Sequence, residues 1–434
     1  MTFASSQDLE RSGDGFGTDR ARTQGSADAA APAGTSFWSS GHRPTLIAAF
    51  LYFDLAFMVW VVLGPLAPDI ARDLALNPAQ KGLMVATPTL AGALLRLAVG
   101  LLADRIGPKR TGAIMQAIVI GGLFSAWVLG VRSFAGTLAV GGVLGFAGAS
   151  FAVALPLASR WYPPEHQGKA MGIAGMGNSG TVLAALFAPG LAGWFGWNAV
   201  LGLACIPLAI VLLVYLVMAK DAPNAPPPKS LGAYLAPLAS ADAWWFMLLY
   251  GVTFGGFSGL ASSLSIYFTD QFGLATVTAG YCTAACVFAG SLIRPIGGAL
   301  ADQIGGVRTL TFVYLVATAA LFAVSAGPAS VAAALTLFVV AMLALGAGNG
   351  AVFQLVPQRF GAEIGVMTGL IGMAGGIGGF YLASSLGFAR QITGSYQSGF
   401  LIFGLLGLVA LASLTGIKRR WRDTWGAEAQ GVRI

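Results

Sequence analysis

The sequence predicts an all-α membrane protein with twelve transmembrane helices in two pseudo-symmetric halves of six. Its low charge, recurrent apolar runs and an internal repeat support this prediction. Only 9% of the 434 residues are charged, 56% are hydrophobic and the mean hydropathy is +0.76, whereas soluble domains carry about 25% charged residues. Apolar runs of roughly 20 residues, long enough to cross a hydrocarbon core about 30 Å thick, recur along the chain. The alternating pattern of a membrane β-barrel does not appear.

The apolar runs define twelve predicted spans. Their ranges are 45–67, 82–103, 111–131, 134–158, 170–193, 199–219, 242–268, 275–300, 309–327, 330–355, 365–388 and 397–417. The proline-rich segment KDAPNAPPPKS divides the spans six and six, and its composition is typical of an extended linker. The domains expected are a tail at 1–44, a six-helix bundle at 45–219, a linker at 220–241, a second bundle at 242–417 and a tail at 418–434.

The first 44 residues have a polar composition, which predicts a disordered cytoplasmic tail. They lack the apolar core that a cleaved signal peptide needs. The three cysteines lie in apolar segments without metal-ligand spacing, and both histidines lie outside the spans. No soluble segment carries a nucleophile–base pair or a phosphate-binding loop. We therefore expect neither an enzyme nor a bound cofactor or metal.

The basic residues predict the orientation of the chain. The loops after odd-numbered spans hold four of the 24 Lys and Arg residues, and two more lie inside spans, so 24 − 4 − 2 leaves eighteen for the tails and the other loops. This asymmetry predicts that both termini are cytoplasmic. The net charge of +7 is therefore interpreted as a topology signal, and no nucleic-acid partner is expected.

Two segments repeat at a constant offset of 198 residues: LLRLAVGLLADRIGPKRT and SLIRPIGGALADQIGGVRT. The offset pairs Arg96 with Arg294 and Asp104 with Asp302. Such parallel repeats place a substrate site near the membrane midplane between the halves. We expect the two arginines to face each other there.

The arginine pair predicts an anion site. A charge at the bilayer centre costs about 2.5–3.5 kcal/mol on insertion scales and marks a pathway or site. Asp54 is the one carboxylate well inside any span, so protein groups cannot neutralise both Arg96 and Arg294. A bound monoanion would complete the charge balance, and the planar guanidinium suits a planar oxyanion. The alternative is purely structural, with each cation paired to a carboxylate or a helix C-terminus.

Several motifs identify a resemblance to a known family. GLLADRIGPKR resembles the helix 2–3 signature of the major facilitator superfamily, and GALADQIGGVR repeats part of it. MGIAGMGNSGTVLAALFAP and GLIGMAGGIGGFYLASSLG resemble the two glycine-rich signatures of the nitrate/nitrite porter family, and LGAGNGAVFQLVPQRF is also similar to that family. The similarity covers about residues 45–417.

The resemblance implies a secondary active transporter of nitrate, with nitrite as a further substrate, working by alternating access in the major facilitator fold. It is expected in the cytoplasmic membrane as a functional monomer. Nitrate/proton symport for uptake and nitrate assimilation is favoured. The alternatives are a nitrate/nitrite antiporter, a carrier of another small anion and a non-transporting anion receptor.

The resemblance also implies roles for individual residues. The substrate-binding set is Arg96, Arg294, Asn178, Tyr250, Phe254 and Phe151. From the residues themselves, gating roles are expected for Gly100, Asp104, Arg105, Arg110, Asp302, Gly175, Gly177, Gly180, Gly375 and Gly378. The alternative for the loop from Asp104 to Arg110 is that its charges are solvated topology signals. For the glycines and for Asn178, close helix packing is the competing interpretation. For the aromatic residues, the alternative is ordinary packing.

Asp54 in FLYFDLAFMVW is the candidate proton carrier. Import of a monoanion against a negative-inside potential costs about 2.3 kcal/mol per charge per 100 mV. One cotransported proton cancels this cost and two reverse it. The FDLAFMVW context resembles the proton-coupled branch of the family. In the alternative interpretation, Asp54 neutralises Arg96 or is a hydrogen-bonded structural acid.

Overall fold

The computed structural model describes residues 36–223, 230–360 and 363–425. Within these residues, twelve helices are long and apolar enough to cross a membrane, which confirms the predicted fold class. Spans 1 to 12 are Arg43–Asp73, Pro78–Ile106, Pro108–Leu129, Phe134–Ser159, Lys169–Phe195, Trp197–Met218, Ala241–Phe272, Thr276–Ile304, Gly306–Ser325, Val331–Arg359, Ile364–Thr393 and Gln397–Asp423. Each predicted span overlaps one of them.

Three spans of the first half are interrupted, whereas the corresponding spans of the second half are continuous. Span 1 consists of helices Arg43–Trp60 and Leu63–Asp73, and span 4 of Phe134–Gly148 and Phe151–Ser159. In span 5, helix Pro164–Gly175 tightens into the 3₁₀ turn Met176–Ser179 before helix Gly180–Phe195. The glycine-rich segment of span 11, which repeats that of span 5, stays α-helical.

The break in span 4 releases a backbone acceptor. The N–H of Ala152, which would bond the carbonyl of Gly148 in a regular helix, bonds Ala149 instead. The Gly148 carbonyl is therefore available to another donor, and Nε of Arg96 donates a hydrogen bond to it at 3.3 Å.

Glycines let the halves meet closely. Span 2 contacts span 11 where a Cβ on Gly82 would lie 2.8 Å from the Cα of Gly387. Span 5 contacts span 8 where a Cβ on Gly280 would lie 2.6 Å from the carbonyl oxygen of Ala185. Such approaches require the absence of a side chain, as is usual at helix contacts within membranes.

The ends of the predicted tails and linker belong to the ordered structure. Phe37 is buried and stacks on Tyr162 with 4.8 Å between ring centroids, although it lies in the tail predicted at 1–44. Span 12 continues past residue 417 because the buried Trp421 stacks on Phe246 at 4.8 Å. Residues 1–35 of the predicted N-terminal tail and 426–434 of the C-terminal tail lie outside the described residues.

The linker predicted at 220–241 also contains ordered elements. Its described part includes a short helix, Leu231–Leu235, and a 3₁₀ turn, Ala236–Ala239. Tyr234 in this segment has a buried side chain, and this packing explains why the segment is not simply extended. Residues 224–229 lie outside the described part.

The two ends of the bundle differ. At the end that carries Asp104 and Asp302, called here the basic end, a cavity of about 650 Å³ lies between the halves and reaches the exposed Lys169. At the opposite end, Lys81 of the first half pairs with Asp270 of the second at 2.5 Å, and Tyr396 donates to the same carboxylate at 2.8 Å. The bundle is thus open at the basic end and closed at the other.

Replacing Asp270 with Asn is expected to weaken closure of the opposite end, because Lys81 loses its partly buried partner. The ratio of open to closed states should rise about fivefold, as for a loss of roughly 1 kcal/mol. Distances between spin labels at positions 132 and 391 measure this ratio. Arg72→Ala, which removes an exposed pair with Asp69 inside one helix, should leave it unchanged. An unchanged distance distribution in Asp270→Asn would contradict the gate assignment.

Candidate functional site

Arg96 lies in the middle of span 2 with 1% of its side chain exposed. Its Cζ atom lies close to three aromatic rings: Phe151 at 5.3 Å, Phe254 at 5.5 Å and Trp60 at 5.8 Å. Ring faces attract a guanidinium electrostatically, so the rings hold the cation without neutralising it.

The hydrogen bonds of Arg96 leave one end of the guanidinium unpaired. Nε donates to the carbonyl of Gly148 at 3.3 Å, and Nη1 donates to the carbonyl of Gly372. Nη2 is buried, and no described residue accepts a hydrogen bond from it. Buried donors are nearly always paired, and a charged donor left unpaired is especially costly. The arrangement therefore offers a binding position for an anionic acceptor.

Arg294 lies on span 8 and lines the cavity. Its Nη2 donates to the hydroxyl of Tyr250 at 3.4 Å, and its Cζ lies 5.6 Å from the ring centroid of Phe353. The Tyr250 ring stacks on Phe254 at 5.2 Å, and Phe254 in turn lies against Arg96.

One group of rings therefore connects the two guanidinium groups. Phe353 meets Tyr250 edge-on at 5.1 Å and lies 6.1 Å from Phe151. The aromatic cage, as we name this group, consists of Trp60, Phe151, Tyr250, Phe254 and Phe353. Its rings lie against both guanidinium groups, and of the five residues Phe353 lines the cavity together with Arg294.

The structure brings together five of the predicted binding residues: Arg96, Arg294, Phe151, Tyr250 and Phe254. Sequence reasoning did not single out Trp60 or Phe353. Both lie in quoted motifs, FDLAFMVW and LGAGNGAVFQLVPQRF, but aromatic residues are frequent in every span. Only the tertiary packing distinguishes these two.

Asn178 is buried, but no described contact joins it to either arginine. With its amide nitrogen turned toward the backbone, the side chain bonds the carbonyls of Gly175 at 3.2 Å and Met176 at 3.3 Å. In this conformation Asn178 therefore supports its own 3₁₀ turn.

Asp54 holds the same turn from span 1. Its Oδ1 accepts a hydrogen bond from the hydroxyl of Ser179 at 2.7 Å, and the backbone N–H of Gly180 also bonds the carboxylate. No ion pair of Asp54 occurs among the described residues. The carboxylate thus contacts the segment that carries Asn178 rather than Arg96.

The charged gate residues predicted after span 2 lie at the basic end. Asp104 pairs with Arg160 at 2.8 Å and accepts from the hydroxyl of Tyr234 at 2.7 Å. Burial, together with the hydrogen bond to Asp104, raises the pKa of the Tyr234 phenol, so the hydroxyl stays protonated and donates. This contact fastens the linker to the end of span 2. Arg105 and Arg110 are exposed at the same end.

The remaining gate candidates line helix contacts or the cavity. A Cβ on Gly100 would touch Tyr234, and one on Gly375 would lie 2.9 Å from the Tyr250 and Phe254 rings. Those on Gly177, Gly180 and Gly378 would meet neighbouring backbone. Gly175 and Asp302 border the cavity.

Comparison with known proteins shows relatives along nearly the whole chain. The model of the Major Facilitator Superfamily matches residues 47–383. A Mycobacterium tuberculosis protein named "Probable nitrate/nitrite transporter NarK2" is 35% identical over 383 residues, covering 85% of this chain and 95% of the relative. The "Nitrite extrusion protein" of Bacillus subtilis is 32% identical over 358 residues, covering 82% and 89%.

A solved structure supports the fold. A bacterial homologue of the human lysosomal transporter Spinster, captured in an inward-facing, unoccupied conformation, superposes with a TM-score of 0.66 at 20% identity. The match covers 89% of this chain and 98% of that one.

Gly180→Ala is expected to destabilise the protein, because the new Cβ would lie 1.7 Å from the backbone oxygen of Asp54. Forced overpacking of this kind costs about 1–3 kcal/mol. Thermal unfolding of the purified protein measures the loss. Gly190→Ala on the same helix, where nothing lies within 4 Å, is the matched control. Equal stability of the two variants would show that spans 1 and 5 do not pack as described.

Proposed function

Because the chain belongs to the nitrate/nitrite porter family of the Major Facilitator Superfamily, whose members are transporters and not enzymes, we propose that it carries nitrate across the cytoplasmic membrane by alternating access. Nitrite is the second substrate. The observation that carries the proposal is the buried Nη2 of Arg96, a charged donor without an acceptor inside a cationic, aromatic-lined site.

The site suits a small planar monoanion. The described carboxylates make no ion pair with Arg96 or Arg294, so substrate supplies the negative charge that the bundle lacks. A guanidinium presents in-plane donors to planar oxygens and stays protonated across the physiological pH range. Apart from the Tyr250 hydroxyl, the aromatic cage presents ring surfaces, which cannot replace the hydration shell of a larger or more highly charged anion and therefore disfavour such ligands.

The asymmetry of the two ends fits one state of alternating access. If the basic end is cytoplasmic, as the distribution of Lys and Arg predicts, then the cavity faces the cytoplasm and the Lys81–Asp270 pair closes the outer side. Nitrate held at Arg294 has a path to the cytoplasm in this state. Both termini are then cytoplasmic, and a single chain contains the whole pathway, which supports a functional monomer.

Proton symport is the proposed coupling, with Asp54 as carrier. Asp54 is 8% exposed and is held by hydroxyl and amide donors rather than by a cation. Uptake of nitrate for assimilation requires an input of energy that cotransported protons supply. Exchange against nitrite is the alternative coupling, which the name of the B. subtilis relative brings into consideration.

Arg96→Lys and Arg294→Lys should each weaken nitrate binding about 10- to 150-fold, because a lysine cannot reproduce the planar fork of donors. Nitrate-dependent uptake into proteoliposomes and nitrate affinity in detergent measure the effect. Arg132→Lys, on an exposed loop outside the site, should behave like the wild type. Near-normal affinity in either site variant would exclude the paired-arginine site.

Asp54→Asn should abolish nitrate uptake driven by a pH gradient, because the side chain can no longer take up and release a proton. Counterflow of nitrate against nitrate, which needs no proton movement, should persist. Wild-type vesicles, assayed with a pH gradient and separately with internal nitrite, provide the reference. If the variant retains pH-driven uptake, Asp54 is not the carrier. If only internal nitrite drives uptake by the wild type, the protein is an antiporter.

A further inference from the structure

Asn349 of span 10 has an unusual environment for a buried amide. It is 0% exposed, and neither its Nδ2 nor its Oδ1 has a hydrogen-bond partner among the described residues. Buried amides are almost always paired. Nη2 of Arg96 is likewise buried without a partner among the described residues.

One flank of Asn349 faces span 8. A Cβ on Gly346 would lie 2.0 Å from the carbonyl oxygen of Gly290, and one on Gly350 would lie 2.2 Å from that of Arg294. These contacts mark the side of span 10 on which span 8 packs. At 100° per residue, Asn349 lies next to this side on the helix surface.

The other flank faces span 7. A Cβ on Gly256 of span 7 would lie 2.9 Å from Cδ1 of Leu345. A Cβ on Gly348 would lie 2.6 Å from Cγ2 of Thr253, which is also in span 7. At 100° per residue, Asn349 falls between the span 7 flank and the span 8 flank. Its side chain therefore leaves the helix toward the space that spans 7 and 8 share with span 10.

The same direction leads to the aromatic cage. Phe353, four residues later on the same helix face, lies against Tyr250 and Arg294. Asn349 is one turn farther from the basic end, just as Phe254 is one turn farther than Tyr250 on span 7. This is the level at which Phe254 meets Arg96.

We propose that Asn349 is a further substrate-binding residue, whose amide N–H donates to an oxygen of the planar anion held by Arg96 and Arg294. The inference rests on the proposed nitrate transport. A trigonal oxyanion has three oxygens, and Arg96, Arg294 and Asn349 supply donors from spans 2, 8 and 10. A bound anion would thereby satisfy two buried donors that the described residues leave unpaired.

The test is nitrate-dependent thermal stabilisation of the purified protein, with variants Asn349→Leu and Asn349→Asp. A ligand that binds the folded state raises the melting temperature. Asn349→Leu should lose most of the nitrate shift, with an affinity at least about tenfold weaker. Its melting temperature without nitrate should be unchanged or higher, because the variant removes an unpaired buried amide. Asn349→Asp preserves the volume of the side chain and should also lose the shift, because its charge repels the anion.

Gln116→Leu is the matched control. Gln116 is also a buried amide with one unpaired atom, but its Nε2 donates to the carbonyl of Leu208 at 2.7 Å, inside the first half. This variant should lower the basal melting temperature and keep the full nitrate shift. Wild-type affinity in both Asn349 variants, or in Asn349→Asp alone if Asn349→Leu does not fold, would overturn the inference. Absence of a nitrate shift in the wild type would overturn the proposed function itself, and this inference with it.

Discussion

Two guanidinium groups lie inside an apolar helical bundle, and the described carboxylates neutralise neither of them. This uncompensated charge is the constraint on which the rest of the site depends. Removing a cation from water is tolerated only where other groups replace its hydration. Around Arg96 these groups are two backbone carbonyls and three ring faces. They fix the position of the cation without neutralising its charge.

Local backbone breaks make this arrangement possible. Span 4 interrupts its helix after Gly148, and the released carbonyl becomes an acceptor for Arg96. Span 5 tightens into a 3₁₀ turn that Asp54 holds through Ser179. Both breaks occur in the first half. The two halves therefore share the same arrangement of spans but surround their arginines differently. Arg96 is enclosed, whereas Arg294 lines the cavity.

The sequence alone was sufficient to predict the helices and to select five residues that the structure brings together. The bilayer requires each spanning segment to be long and apolar enough by itself. The twelve spans can therefore be identified one at a time from the sequence. The arginines could be found because charge is rare in such a chain and because one repeats the other. Tyr250, Phe254 and Phe151 came from family resemblance and not from any periodicity.

The remaining site residues depend on tertiary packing. Trp60 and Phe353 look like any other aromatic residue of a span until neighbouring helices position them. The partner of Asp54 could not be chosen from composition, because Ser179 becomes its neighbour only through the packing of spans 1 and 5. Asn178 illustrates the converse: a motif identified it, yet here its amide bonds its own turn.

The most direct test of the central claim is an experimental structure determined in the presence of nitrate. The account predicts planar density inside the aromatic cage, within hydrogen-bond distance of Nη2 of Arg96 and of the Arg294 guanidinium. Density for the anion elsewhere, with Nη2 of Arg96 paired to a protein group, would contradict it.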